Sequence, residues 1–328
     1  MEISRYTPDD RDTVAAAVDL TNAAHRVDAP FEHPATVVDH TLMLRHGWDG
    51  EVPERFAAWE GDRLVGLLAV HTSEWDNRHL AWLEVLVHPE LRRAGRGSAL
   101  LEFAEHRARV LGRTSLGLDG WDHAWSHGFA ARHALPRRGS AIKRRQTVAA
   151  VDRSTLAAMR ETAAEHARDY ELVQVRGRTP EELLPAVAEM TASINDAPTD
   201  DLDIEDEVFP VERIVAYETA QEARHKRLYR LVARHRESGE LAGHTVVAVD
   251  SLEPWIGDQH DTSVVAAHRG HRLGLLLKAT MLQWLAREEP ELATIDTWNM
   301  ESNAFMIDVN ETLGYQVLGR SLDFQRSL

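Results

Sequence analysis

The sequence contains no cysteine. Disulfides, thiolate metal ligands and a thiol nucleophile are therefore excluded, and any covalent intermediate would need another residue. No apolar run approaches the ~18 residues needed to cross a bilayer, and the N-terminal "MEISRYTPDDRD" is polar where a signal peptide would need an apolar centre. A soluble cytoplasmic protein without a membrane partner is expected. Positive charge is scarce as well: 37 Lys and Arg against 53 Asp and Glu give a formal charge of −16, which argues against general affinity for nucleic acid and favours cationic partners. Low-complexity tracts are missing, and 328 residues with 43% hydrophobic content suffice for about two domains, each with its own core.

What the chain does contain is a diverged internal repeat. "TPDD" at 7–10 returns as "TPEE" at 179–182, "GDRLVGLLAV" from 61 is echoed by "GELAGHTVV" from 239, and Trp121 has a partner in Trp298. Each half opens with a strand ("ISRYT"; "YELVQVRG") followed by Ala- and Leu-rich helical stretches that end at "DAP", positions 28–30 and 196–198. Hairpin-like strands come next. A further strand ("LAWLEVLV"; "DTSVVAA") then runs into a glycine-containing loop and a helix, and each half closes with strand, helix and strand. Domains are expected at 1–150 and 169–328, joined by a helical linker at 151–168.

The loop "HPELRRAGRGSALL" at 88–101 carries the chemistry. A tight turn delivered by a strand to a helix N-terminus exposes amides that the helix cannot satisfy, and such a terminus binds anions. Gly95 and Gly97 leave room for close approach of a phosphate, and Arg92, Arg93 and Arg96 add charge. The spacing Arg-x-x-Gly-x-Gly is not the nucleotide-hydrolase phosphate loop, since Ser98 and Ala99 follow Gly97, and it lacks the third glycine of the dinucleotide fingerprint. By this count Arg92 and Gly95 pair with His271 and Gly274 in the second half, within "HRGHRLGLLL".

Element order and loop together resemble the GNAT acyltransferase superfamily over nearly all of both halves, so the chain looks like a tandem GNAT protein of the two-domain actinobacterial type. The fold implied is α/β (α+β), two GNAT domains, each a mixed, mostly antiparallel sheet flanked by helices. The resemblance implies acetyl-CoA, or another acyl-CoA, as co-substrate without a metal. Leu86 and Val87 would offer main-chain groups to the pantetheine arm, and Arg92, Arg93, Ala94, Gly95, Arg96, Gly97 and Ser98 would hold the pyrophosphate. Val264, Val265 and Ala266, then His271, Arg272, Leu273, Gly274, Leu275, Leu276 and Leu277, would correspond in the second half, with His271 where Arg or Gln is usual and Leu276 in place of the second glycine. Asn299 and Asn303 in "WNMESN" resemble family asparagines that touch pantetheine or substrate; helix capping by Asn299, at the end of the strand "TIDTW", is the alternative use.

An amine acceptor with a pKa of ~10.4 is neutral in only about one molecule per few thousand at pH 7, so a base, or a water led by one, would help. Glu84 in "WLEVLV" is the candidate, with an outward-facing strand residue as the plain alternative. Its counterpart is Ser263, with Asp261 and His260 nearby as substitutes. The family's tyrosine acid is missing from both halves, where Ala130 and Asn310 stand. His123, His127 and His133 form no metal-ligand pattern. "RRGSAIKRR" at 137–145 reads as a solvated edge strand, and "DDLDIEDE" from 200 either as a solvated loop or as the lining of the second domain's acceptor pocket. The expected activity is acetyl transfer to a small-molecule or peptide amine by direct attack in a ternary complex, by a monomer or homodimer. The rivals are a non-catalytic acyl-CoA sensor and an acyltransferase fed by a carrier protein.

Overall fold

The computed structural model describes residues 1–328. The first half runs β1 (Glu2–Arg5), α1 (Arg11–Asp28), α2 (Val37–His46), β2 (Glu54–Glu60), β3 (Arg63–His71), β4 (Leu80–Val87), α3 (Arg96–Val110), β5 (Ser115–Trp121), α4 (Ala124–Arg132) and β6 (Arg137–Thr147). It continues with α5 (Arg153–His166), β7 (Tyr170–Arg176), α6 (Leu184–Thr191), α7 (Val211–Ala223), β8 (Lys226–His235) and β9 (Leu241–Asp250). Last come β10 (Ile256–Val264), α8 (Leu273–Glu288), β11 (Thr294–Met300), α9 (Ala304–Thr312) and β12 (Gln316–Ser327).

Contacts divide the chain into two compact units that do not coincide with a simple cut of the sequence. One holds residues 1–141, 199–206 and 319–328; the other holds 142–198 and 207–318. The C-terminal strand accounts for the difference from the expected boundaries, because β12 pairs antiparallel along all of β5, from Ser321 opposite Trp121 to Ser327 opposite Ser115. The first unit's strands lie in the order β1-β2-β3-β4-β5-β12 and the second's in the order β6-β11-β10-β9-β8-β7. β1–β2, β2–β3, β3–β4, β5–β12, β7–β8, β8–β9 and β9–β10 pair antiparallel, whereas β4–β5 and β10–β11 pair parallel.

In the first unit, alternation along the strands buries both sheet faces. Leu100, Leu101, Ala104 and Ala108 of α3 cover one face with Leu68, Leu83 and Leu116. Val14, Ala17 and Leu20 of α1, with Leu44 of α2, cover the other against Ala57 and Leu67. Thr36 caps α2 by accepting from the Asp39 amide at 3.1 Å.

Two sequence expectations change, and one open reading is narrowed. The segment expected as a linker is an integral helix of the second unit: Asp152 caps α5, and Leu156 and Ala163 enter one core with Leu273 and Leu277 of α8. "RRGSAIKRR" is a strand but not a solvated one, since Ile142, Lys143 and Arg144 are buried; its cations are taken up by acids, Arg145 forking onto Asp296 at 2.6 and 2.7 Å. The acidic segment is mostly exposed, in keeping with the solvated-loop reading, and residues 199–206 group with the first unit. It is pinned to the first by main-chain bonds, Asp203 exchanging hydrogen bonds with the Gln325 amide and Glu205 with Asn77.

Candidate active site

The parallel ladder between β4 and β5 lasts four rungs, from Leu80 opposite Ser115 to Leu83 opposite Leu118. Beyond it β4 continues to Val87, so Glu84 to Val87 present main chain on that side with no ladder partner. Along this opening lies a cavity of about 590 Å3 in the first unit. Glu84, Leu86, Val87, Arg92, Arg93, Gly95, Gly97 and Ser98 all line it. Ala94, exposed, and Arg96 complete the loop without lining the cavity. A wider recess of about 820 Å3 beside α1 holds none of the expected site residues.

At one end of the cavity the loop is shaped by two left-handed residues, Arg93 at φ 65° and Gly95 at φ 83°. Alternating hands turn successive amides towards a common centre, a concavity suited to an anion, and Gly95 is also the N-cap of α3. A side chain at Gly95 would meet nothing, whereas a Cβ at Gly97 would come within 3.1 Å of the Phe129 ring. The three arginines divide their work. Arg92 forks onto Asp28 and also donates from Nε to the Val87 carbonyl at 3.2 Å. Arg96 forks onto Glu60 at 2.9 and 2.7 Å. Arg93 makes neither kind of pairing, is exposed and faces the cavity, so it is the loop cation left for a ligand. Ser98 Oγ is within 2.9 Å of His133 Nε2.

Glu84 lies at the other end. Its Oε2 accepts from Arg55 at 2.9 Å and its Oε1 is 2.9 Å from His71 Nε2. Burial alone would raise its pKa, but the charge of Arg55 and the hydrogen bonds from His71 and Arg55 outweigh that and hold it down to about 2. The carboxylate is therefore ionised throughout the physiological range, and half of the side chain remains open. Beside it Tyr6 OH is 3.0 Å from His40 Nε2; burial pushes Tyr6 up to about 12 and His40 down to about 4, so both are neutral at pH 7. Sequence reasoning missed Arg55, His71, Tyr6 and His40, because partners brought together by neighbouring strands leave no local motif. Ala130 also lines the cavity, at the place where the family's acid was looked for.

The second unit repeats the opening. Its parallel ladder ends at Asp258 opposite Asp296, while β10 runs on to Val264. The equivalences differ from those expected. Gly66 pairs with Val87 and Gly243 with Val264, which fixes a shift of 177 at this rung. Counting back, Ser263 is level with Leu86, and a bulge between Gln259 and Thr262 places His260 and Asp261 where the first unit has the single Glu84. Burial raises the pKa of Asp261, with Arg230 and Arg213 opposing. Downstream, Arg269 donates from Nε to the Val264 carbonyl at 3.1 Å and pairs with Asp196, so Arg269 is the counterpart of Arg92, and His271 is not. Arg272, at φ 55°, is the N-cap of α8 and stands where Gly95 stands; Gly274 matches Gly97, and Leu276 replaces no glycine.

The other expected residues scatter between loop and core. Val264, Val265 and Ala266 carry the chain into the loop, and Leu275 is part-buried, but the side chains of Leu273, Leu276 and Leu277 are core. The His271 ring lies beside Tyr170, and its Nδ1 is 3.3 Å from the His166 carbonyl at the end of α5. Asn303 caps α9 by accepting from the Met306 amide at 3.2 Å. Asn299 instead accepts from the Asn310 amide at 2.6 Å, and Asn310 in turn accepts from the buried Lys278 at 2.6 Å. No group of three or more His, Asp or Glu side chains is arranged to hold a metal ion, and no helix is long and apolar enough to cross a membrane.

A loop that turns amides towards an anion at the end of a parted pair of parallel strands, present twice, defines a tandem GNAT fold. Over 99% of the chain it superposes on 98% of the tandem GNAT protein from the clavulanic acid biosynthesis pathway, with a TM-score of 0.80 and 26% identity. A GCN5-related N-acetyltransferase from Sphaerobacter thermophilus aligns over 99% of this chain and 95% of its own (TM-score 0.71, 15% identity). A putative acetyltransferase from Pyrococcus horikoshii aligns over 100% and 89% (TM-score 0.58, 14% identity). No curated protein sequence gives a match. Residues 19–134 match the model of the acetyltransferase (GNAT) family, and this match, with the tandem GNAT fold, supports acyl transfer as the general class of activity.

Proposed function

We propose that the first unit transfers an acetyl group from acetyl-CoA to a primary amine of a small molecule or peptide. The observation that carries this reading is the single cavity of about 590 Å3 that runs from the Gly95 loop, past the unpaired edge of β4, to Glu84. The pyrophosphate would rest on the amides of residues 93–98 with Arg93 adding charge, and the pantetheine arm would take the place of a missing strand beside Leu86 and Val87. The fit is sterically open at Gly95.

At the far end the ionised Glu84 attracts the ammonium form of the acceptor. Its pKa of about 2 makes it too weak a base to strip an amine directly, so its role is to hold the ammonium while water carries the proton away, with His71 on the neighbouring oxygen. The neutral amine attacks the thioester carbonyl, the C–N bond forms, the nitrogen gives up a proton to water, the C–S bond breaks, and the thiolate leaves as an anion or takes a proton from water. Ala130 offers it no acid, which is the one observation in favour of an acyl-CoA sensor. Titration calorimetry with acetyl-CoA, followed by free-thiol release over a panel of amines, tests the reading. Binding with turnover supports it, binding without thiol release for any amine supports the sensor, and no binding overturns both.

A further inference from the structure

Three carboxylates stand side by side on one sheet face of the first unit. Arg55, Ala69 and Glu84 share a row across β2, β3 and β4. Glu84 follows the last rung, Leu83 opposite Leu118, so Asp119 is next beside it, and Asp119 is directly opposite Asp323 of β12. Like charges directly opposite are destabilising, because their Cβ atoms are only about 4.5–5.5 Å apart. Asp119 lines the cavity and is held by Trp82 Nε1 at 2.9 Å and, more loosely, by Ser321 Oγ at 3.4 Å. Asp323 is 7% exposed and its carboxylate has no hydrogen-bond partner. The charges bearing on it, from Asp119 and Asp200, are both negative, and with burial they push it up to about 6. Burial, with Glu84, also raises Asp119 against the hydrogen bonds from Trp82 and Ser321 and the nearby His71.

The second unit treats the same place differently. Its parallel ladder begins at Ile256 opposite Thr294, as the first begins at Leu80 opposite Ser115. Four residues on, Trp298 is level with Asp119. There the protein supplies its own cation: Lys143 Nζ lies over the Trp298 ring, 5.7 Å from its centroid, and 3.3 Å from Asp296. The first unit has a buried acid, Asp323, beside an exposed one, Asp119, and no cation in the corresponding position.

We propose that the acceptor of the first unit carries a second cationic group, which Asp119, with the buried charge of Asp323 directly opposite it, holds while the reacting amine sits at Glu84. The acceptor class is a diamine or an amine with a guanidinium. Paired neighbouring strands are about 4.8 Å apart, and β4 and β5 part beyond Leu83, so the two nitrogens would be at least about 5 Å apart, the span of a chain of about three or more carbons. This rests on the reading of the first unit as an amine acyltransferase, but its binding test does not.

The test is calorimetric binding of 1,4-diaminobutane and of 1-aminobutane to the full-length protein without acyl donor. At least tenfold tighter binding of the diamine is expected, with the preference erased by Asp323→Asn and by Asp323→Lys, the latter placing a cation where Lys143 stands in the other unit. Equal affinities in the unsubstituted protein, a comparison that needs no variant to fold, would overturn the proposal, as would a preference that survives both substitutions. Free-thiol release keeps the two readings apart. Bound acetyl-CoA with equal kcat/KM for the two amines overturns the dication and leaves the transferase standing; no acetyl-CoA binding with a persistent diamine preference does the reverse.

Discussion

Arg92 reaches across from the glycine loop to Asp28 at the end of α1, and Arg269 makes the same reach to Asp196, each also donating from Nε to the carbonyl five residues before it. Both acids belong to the repeated "DAP" turn. The loop's leading arginine is thus a brace that ties the end of the cofactor strand to the first helical segment, and it is largely spent before any phosphate arrives. Replacing Asp28 with Asn keeps the shape and removes the charge. With Arg92 and Asp28 only 20% and 11% exposed, we expect a loss of about 2 kcal/mol in urea unfolding, together with a raised KM for acetyl-CoA. Arg92→Lys is expected to behave nearly as badly, because an ammonium cannot make the planar fork.

The two loops differ in which glycine they keep, and that predicts an asymmetry. Gly95 has a left-handed φ that a β-branched residue adopts at a cost of about 1–2 kcal/mol, so Gly95→Val should distort the amide concavity and weaken acetyl-CoA binding at least tenfold by calorimetry. Gly274 has an ordinary helical φ, and a Cβ there would lie 3.6 Å from Phe305, an unforced contact. Gly274→Ala should change acetyl-CoA affinity less than twofold. A large effect at Gly274 would place the binding site in the second unit.

The sequence made the architecture legible because strand alternation and the strand–loop–helix order are local signals; "LAWLEVLV" is β4 to the residue. The glycine loop of the first half was legible for the same reason. Two kinds of information were not. The register of the second half slipped by two residues because "HRGHRLG" offers several arginines and glycines, and only hydrogen bonds identify Arg269 as the brace. The pairing of distant strands was also hidden: nothing near Asp323 in the sequence announces Asp119, and nothing near Glu84 announces Arg55.

Glu84 carries the next prediction. A carboxylate held at about 2 stays charged from pH 5 to 9, so its own titration should add no inflection to the pH profile of kcat/KM in that range. Glu84→Gln should lower kcat/KM by roughly 10- to 100-fold, the loss of a charge-assisted contact to the acceptor ammonium worth about 1.5–3 kcal/mol, with acetyl-CoA affinity unchanged. Steady-state kinetics from pH 5 to 9, beside calorimetry of the same variant, checks both statements. A profile with a Glu84-dependent inflection near the ordinary carboxylate range would mean that Arg55 and His71 do not hold the charge.

Lys278 gives a prediction about the second unit that is independent of catalysis. It is 2% exposed in the middle of α8, its ammonium donates to Asn310 and lies 4.8 Å from the Tyr315 ring centroid, and burial lowers its pKa to about 7. Between pH 7 and the ordinary lysine value near 10.4 the unfolded chain therefore holds a proton that the folded chain has released, and stability rises with pH across that window. The cost of the buried charge is present in full below pH 7 and relieved on the alkaline side, with a span on the order of a few kcal/mol. Lys278→Met, of similar length and without a charge, removes the titration and leaves a constant offset from the lost bond to Asn310. The stability of the unsubstituted protein minus that of the variant, followed by urea unfolding, should climb from pH 7 to pH 10. A difference that stays flat over that range would mean that the Lys278 amine keeps its ordinary proton affinity inside the fold.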